Sequence, residues 1–508
     1  MRQISLLLWC IIYTPCLLAQ MHDANWVFTE LSTEDSVCIL NFDGSSSSFQ
    51  LFESPITASS SASYSNSSGL LKGFSNGVQM YNSNFSIMEN GDSLGYSADW
   101  DSIPVYYTGG EFFSGEFLPW PGQADNKAVY LHYVVYYFTS SYRHKELWYT
   151  IVDLNANDGK GKVVEKNVVL SDDVYHFTCI QHGNGKDWWI ISMKENLIDF
   201  DIYLLSQSGF QFVSNQTFPL PLYYSNYNKS PLISSPQGDW LYLQFNHEPG
   251  YLFDFNRCNG EIKYSIDVDI PDSIVVINPF GMRAPIGSPN GQFIYSVFYD
   301  QVTVNGKKIS RPRLMQADLS SQNPAFHFLE HVDLTDDAIF WPEHTPNDEI
   351  YYTYIQDDTV FSLITIHRPD DPLDECGLEI PGKAFPQGFR TPSTPRFPNY
   401  RLGPLVGSDC DTVTTSVSIP ETGKTYDMTL TPNPSSGPVD VEITLPEYQG
   451  HNVKCDVIDG LGKTVSTHAF PPFSYRHTLD VSAFAPGLYV VQLIVDGRVV
   501  QAERLVVQ

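Results

Sequence analysis

Positive charge is scarce in this chain. Its 508 residues include 29 Lys and Arg against 58 Asp and Glu, a net charge of −29 at neutral pH. A surface of that sign is repelled by nucleic acid and by anionic membranes, so neither is an expected partner. Cysteine is sparse as well, with eight residues, two of them in the first 20. No Cys-x-x-Cys occurs, which excludes zinc ribbons and thioredoxin-type redox pairs. Beyond the N-terminus no apolar run reaches about 18 residues, so no membrane span is expected. Helical 3.6-residue periodicity is nowhere sustained. Catalytic signatures are missing too. Gly287-Ser288-Pro289-Asn290-Gly291 has the wrong spacing for a nucleophile elbow. His247-Glu248 runs into Pro249, which would break the helix that a zinc-protease motif needs. P-loop and dinucleotide fingerprints do not occur. Asp267-Val268-Asp269 and Asp370-Asp371 lack EF-hand spacing, so Ca²⁺ is a weak reading and no cofactor is expected.

What the chain has is aromatic and apolar. Tyr and Phe number 30 and 31, and 42% of residues are hydrophobic. Such side chains pack well on pleated strands. The length exceeds one ordinary core of about 250–300 residues, which points to domains or repeats. The opening "MRQISLLLWCIIYTPCLLAQ" reads as a secretory signal over 1–20, cut after Ala19 or Gln20. Pro15 precedes Cys16 and Trp9 precedes Cys10, so neither cysteine suits a lipoprotein anchor. Export permits disulfides among Cys38, Cys179, Cys258, Cys376, Cys410 and Cys455. Cys376 with Cys410 is the expected pair, the others being candidates for small buried apolar groups.

One element recurs. "SSPQGDWLYLQF" (234–245), "GSPNGQFIYSVFY" (287–299), "HTPNDEIYYTY" (344–354) and "HGNGKDWWIIS" (182–192) each place a polar turn before an aromatic strand. Looser copies lie at 66–81 and 122–133. The turns centre on Gly69, Asn126, Gly185, Gly238, Gly291 and Asp348, spaced by 53 to 59 residues. A fixed period of that size signals a propeller or an array. Further strand-like runs follow and precede each turn, giving about four strands per copy. The expected fold is therefore all-β: a β-propeller over 21–407 with about seven four-stranded blades, six or eight staying open. The seventh blade is expected from 26–52 joined to 380–405, strands from both ends closing the ring.

Residues 408–427 are polar and read as a linker. Residues 428–508 then hold short strands and tight turns, a small C-terminal β-sandwich.

Three resemblances add to this. The Ser235-Pro236-Gln237-Gly238 turn resembles the Ser-Pro-Asp-Gly element of prolyl-oligopeptidase-type propellers, with Gln237 and Asn290 in place of Asp. "ENGDSLG" (89–95), "HGNGKDWWI" (182–190), "LFDFNRCNG" (252–260) and "FPNYRLGPL" (397–405) resemble exported propeller proteins of Bacteroidetes. Residues 428–508 are similar to the type A C-terminal sorting domain of the type IX secretion system. The matching elements are Pro432-Asn433-Pro434 with Gly437, Gly460 with Gly462 and Lys463, Gly487 with Tyr489, and Gly497. The chain ends in Gln508 where many members end in Lys or Arg. That resemblance implies export to the surface or the medium, with the secretion machinery as partner.

The channel of a propeller is lined by the first strand of each blade, here the run before each turn. That run offers His176, Gln181, His182, Arg283, Glu343 and His344 as candidate ligand-binding residues. They could instead satisfy one another or bound water. At least one of Trp188 and Trp189 is expected between blades, while an exposed one could serve as a stacking platform for a sugar. The leading reading is a binding module for a glycan or protein ligand. The alternative is an extracellular hydrolase at the channel mouth, and a purely structural surface role is a third. A partial Asp-box at Ser235–Trp240 lacks the Asp and the Thr of sialidase-type propellers.

Overall fold

In a computed structural model, residues 20–508 are described except for 30–35, 45, 55, 57–60, 96–114, 140–141, 221–230, 245–248, 271–284, 305–306, 330–337, 357–359, 387–388, 392–393, 411–426, 445–452, 459–463, 471–475 and 496–497. The signal segment 1–19 lies outside the described residues. The chain divides into two units, Met1–Asp411 and Thr412–Gln508.

The first unit is a ring of seven antiparallel sheets, taken in chain order as blades 1 to 7. Blades 1 and 2 have three described strands each and blades 3 to 7 have four. First strands of successive blades lie side by side, as in blades 1 and 2, 2 and 3, 4 and 5, and 5 and 6. They therefore line the axis. All six turn positions fall between first and second strands.

Blade 4 shows why the strands read as they do. Its second strand, Trp188–Lys194, is buried on both faces until its last residue. Trp188 packs into the junction with blade 3, and Trp189 into the junction with blade 5. Both are blade-to-blade core, and neither is a stacking platform. Its fourth strand, Gly209–Thr217, holds only half-buried and exposed residues. Inner strands are thus covered by neighbours on both sides and carry continuous apolar runs, while outer strands keep a wet face.

Seven clusters of buried side chains fill the seven junctions, one each. The junction of blades 7 and 1 joins Trp26, Phe28 and Leu40 to Tyr351, Leu363, Phe385 and Phe389. Here the sequence expectation is corrected. Among the described residues no strand from 380–405 enters the first blade, whose three described strands all come from residues 25–53. The ring closes through side chains. Pro381, Pro386, Pro395, Pro398 and Pro404 explain this, since proline cannot donate to a strand ladder.

The turn itself has a physical basis. In blade 5, Gly238 N–H donates to Ser235 O at 2.9 Å, with Gly238 at φ +73°. Ser235 Oγ accepts from the N–H groups of Asp239 and Trp240 at 2.9 and 3.2 Å. Ser288 and Thr345 hydroxyls cap the turns of blades 6 and 7 in the same way. The turns also clasp their neighbours: Gln237 Nε2 donates to Pro289 O, and Trp240 Nε1 to Gly291 O.

The second unit is a two-sheet sandwich. Asp427–Thr431, Pro438–Thr444 and Arg476–Asp480 form one sheet; Thr464–Ala469, Val453–Ile458, Gly487–Val495 and Arg498–Val507 form the other. One core joins them, including Val439, Val441, Cys455, Val491 and Leu505. Asn433 binds the last strand, accepting from Val506 N–H at 2.9 Å and donating to Arg504 O. Ser435 N–H donates to Val506 O, fixing the Pro432-Asn433-Pro434 turn against the same strand. Gly437 O accepts from Val481 N–H, and the Tyr489 hydroxyl donates to Ala485 O. Gly487 opens its strand, whereas Gly460, Gly462, Lys463 and Gly497 lie outside the described residues.

Candidate functional site

The proline-rich segment after blade 7 runs along the channel as a strap. Thr394 Oγ1 donates to Trp341 O of blade 7, and the Tyr400 hydroxyl donates to Phe117 O of blade 3. Asn399 Nδ2 donates to Pro236 O of blade 5 at 2.7 Å. Arg401 pairs with Asp23, just before blade 1. Further on, Gly403 N–H donates to Gln181 Oε1, and Leu405 N–H to Gly183 O. A disulfide then joins Cys410 to Cys258 in the last hairpin of blade 5. The expected Cys376–Cys410 pair is therefore corrected. Cys376 is a buried free thiol in the junction of blades 6 and 7, and Cys38, Cys179 and Cys455 are buried free thiols too.

Between the strap and the first strands of blades 4 to 7 remains a cavity of about 430 Å³. Its rim is made of the repeat turns, including Gln237, Asn290 and Asp348. Five carboxylates and two guanidinium groups line it: Asp23, Glu116, Glu343, Asp348 and Asp370 with Arg396 and Arg401. Arg396 reaches Glu116 Oε1 at 3.2 Å with one terminal nitrogen and His176 Nε2 at 3.0 Å with the other. A guanidinium can only donate, so His176 is neutral there with its lone pair on Nε2. Burial pushes His176 well below the ordinary imidazole value, and Arg396 and Lys145 add to that.

Glu343 has no ion-pair partner in hydrogen-bonding reach among the described residues. Its oxygens accept from His344 N–H at 3.0 Å and Phe397 N–H at 3.2 Å. One guanidinium cannot neutralise two carboxylates in a dry site, and burial pushes Glu343 up to about 8. Glu116 and Asp23 are raised by burial as well, against the pull of Arg396 and Arg401. His344 is pushed down to about 4 by burial, with Arg401 adding and the Gly287 carbonyl opposing. Burial also holds the Cys179 thiol well above its usual value, so it is no thiolate nucleophile.

This cluster sets a pH dependence. Glu343 titrates higher folded than unfolded, so its contribution is complete below the usual carboxylate range and lost as pH rises towards 8. His344 and His176 titrate lower folded than unfolded, so stability also falls as pH drops below about 6.5. Stability should peak near pH 6 and fall above it by about 1.4 kcal/mol per pH unit. Urea midpoints from pH 5 to 9 measure this. Glu343→Gln should flatten most of the alkaline limb; an unchanged limb would refute the assignment. His367 adds a small exposed component of the same sign. Burial pulls its pKa down, but hydrogen bonds with Glu349 and Glu379 outweigh this and raise it.

Of the residues expected at the channel, Gln181, Glu343 and His344 line the cavity. His176 lies buried beneath Arg396. His182 turns to the blade 4 turn, bonding Cys258 O and accepting from Asn184 N–H. Arg283 lies outside the described residues. The sequence reading missed Glu116, Arg396, Arg401 and Asp23. Two arginines in "RFPNYRLGP", in a chain this poor in positive charge, were the available signal. Among the described residues no group of three His, Cys, Asp or Glu could hold a metal ion. Asp267 accepts from the Tyr264 hydroxyl, Asp370 from Asn290 N–H, and Asp371 pairs with Arg368.

The chain is an exported protein of the β-propeller class, followed by a small β-sandwich. That sandwich identifies the route: a family described as a secretion system C-terminal sorting domain matches residues 429–508, the domain of type IX export to the cell surface or the medium. No helix among the described residues is long and apolar enough to cross a membrane. No curated protein matches the chain. Among solved structures, a protein from Lactobacillus plantarum is 10% identical, with 72% of this chain and 85% of that chain covered and a TM-score of 0.32. The Dos1 propeller is 11% identical, covering 66% and 73%, with a TM-score of 0.31. An exo-β-1,3-galactanase from Phanerochaete chrysosporium is 10% identical, covering 96% and 95%, with a TM-score of 0.29. Likeness this distant says nothing about activity.

Proposed function

We propose that the exported propeller is a binding module whose site is the cavity between the strap and blades 4 to 7. One observation supports this above others. The strap occupies the channel yet leaves about 430 Å³ open, within the usual range for small-ligand pockets. Its walls mix Ile233, Ile286 and Trp341 with the buried ionic cluster, an apolar body with a few placed polar groups. Screening the full chain against glycan and peptide arrays at physiological salt tests it. Binding should be lost in Ser234→Phe, which fills the cavity from the blade 5 strand. Binding that survives that change would place the site elsewhere.

Hydrolysis is the second reading, and Glu343 is what favours it. A carboxylic acid that keeps its proton at neutral pH is what a glycosidase uses as general acid. The second carboxylate it would need is Glu116, which is committed to Arg396. That commitment supports binding over hydrolysis. Release of reducing ends from a polysaccharide panel, abolished in Glu343→Gln, would reverse the preference.

A further inference from the structure

The following rests on the cavity being a ligand site. Its polar wall is unevenly satisfied. Several donors on it are engaged: Asn399 on Pro236 O, Gln237 on Pro289 O, Arg396 on Glu116 and His176, and one Arg401 nitrogen on Asp23. Two rim carboxylates are less fully engaged. Asp348 has neither a hydrogen-bond nor an ion-pair partner for its carboxylate among the described residues; burial raises its pKa, Arg401 opposes, and the charges of Asp370 and Asp23 add to the rise. Asp370 accepts one backbone N–H, from Asn290 at 2.9 Å, and keeps the rest of its lone pairs. His344 Nε2, on the same wall, is shut off from water without a hydrogen-bond partner. The ring faces the Gly287 carbonyl, which can only accept, so the remaining ring nitrogen is an acceptor. The turn position of Asp348 is instructive as well. Blades 2, 4, 5 and 6 put glycine there, at φ between +70° and +79°, whereas blade 7 holds aspartate at φ +63°.

The formal charges agree with the hydrogen-bond count. Two of the five carboxyl groups are matched by arginine, Glu343 keeps its proton, and Asp348 and Asp370 are left over as charges. A group that enters beside Asp348 and Asp370 is favoured if it brings donors and positive charge.

We propose that the cavity binds an ammonium or guanidinium group, held at the rim by Asp348 and Asp370, with its aliphatic stem on Ile233, Ile286 and Trp341. A lysine or arginine side chain of a peptide and a free aliphatic amine share this chemistry.

Titration calorimetry of the full chain at pH 7.5 tests this, with trilysine, spermidine and cellotriose as probes. An amine probe should bind. Binding should weaken about tenfold in Asp348→Asn and again in Asp370→Asn, and it should weaken with salt. Trilysine binding without spermidine binding identifies a peptide source, and the reverse a free amine. Circular dichroism of each variant controls for folding, both aspartates being on the rim. Amine binding indifferent to Asp348→Asn and Asp370→Asn would overturn the proposal. So would cellotriose bound in preference and lost in Ser234→Phe, which keeps the binding reading and discards the charge class. Stabilisation by Ca²⁺ alone, lost in Asp348→Asn, would replace the amine with a metal. Silence from every probe, with the arrays also blank, would remove the binding reading itself.

Discussion

Replacing Cys410 with serine should lower the stability of the propeller by about 3–5 kcal/mol and open residues 394–410 to proteolysis. The size follows from the span. Cys258 and Cys410 are separated by 152 residues, so the bond removes the closure entropy of a long loop from the unfolded chain. The location makes the loss local as well as global. Gly183 packs so tightly on this bond that an added Cβ would sit 2.3 Å from Cys410 Sγ and 3.0 Å from Leu405. Pro404 seats against Gly185 and Leu402 against Gly238, so the strap end fits only with glycine at these turns. Without the bond, the end beyond Leu405 loses its covalent anchor and keeps hydrogen bonds such as those of Ser408, and such segments open first. Urea midpoints and mass mapping of limited digests read the two effects separately. Reduced wild type should match Cys410→Ser. Equal midpoints for oxidised wild type and variant, with no new cleavage in 394–410, would show that the strap does not depend on the bond.

The strap also marks where the sequence stops being legible. The blades could be read because five of them repeat a local pattern: a turn whose Gly or Asp takes a left-handed conformation, then a strand rich in buried apolar residues. Gly238, Gly291 and Asp348 sit in equivalent turns for that reason. Trp188 and Trp189 could be assigned to packing because adjacent residues of a strand point to opposite faces, and both faces meet a blade. The strap has no period. Arg396, Tyr400 and Arg401 meet partners 220 to 378 residues away in His176, Phe117 and Asp23. No local rule reports a contact of that range. The same holds for the cysteines, since Cys376 is spaced well for Cys410 but points into the junction of blades 6 and 7. Gln181, Glu343 and His344 were found because first strands line the axis. Their chemistry was not, because it depends on what the strap places against them.

Arg396→Met should be the most damaging single change in the channel, at about 3–5 kcal/mol near neutral pH. The cost lies less in the lost ion pair than in what stays behind. Glu116 is 3% exposed, and with Arg396 gone its carboxylate keeps only the weak donor of Cys179. It must then either stay ionised in a dry site or take up a proton. His176 loses its donor on Nε2 at the same time. Protonation is the cheaper route for Glu116, and this fixes the sign of the pH effect. Its folded pKa, already raised, rises further, so the variant is least impaired in acid and worsens as pH increases. The double variant Arg396→Met with Glu116→Gln should recover most of the loss, because a buried pair replaced by neutral groups of similar volume is often close to neutral. Urea midpoints at pH 5 and pH 8 for the two single variants and the double variant make the cycle. A single-variant cost that is the same at both pH values, and is not relieved by Glu116→Gln, would mean that Arg396 acts through its packed stem. Relief in the double variant, largest at pH 8, would mean that the strap is held in the channel by charge balance around Glu116. The same balance leaves Glu343 protonated beside the cavity.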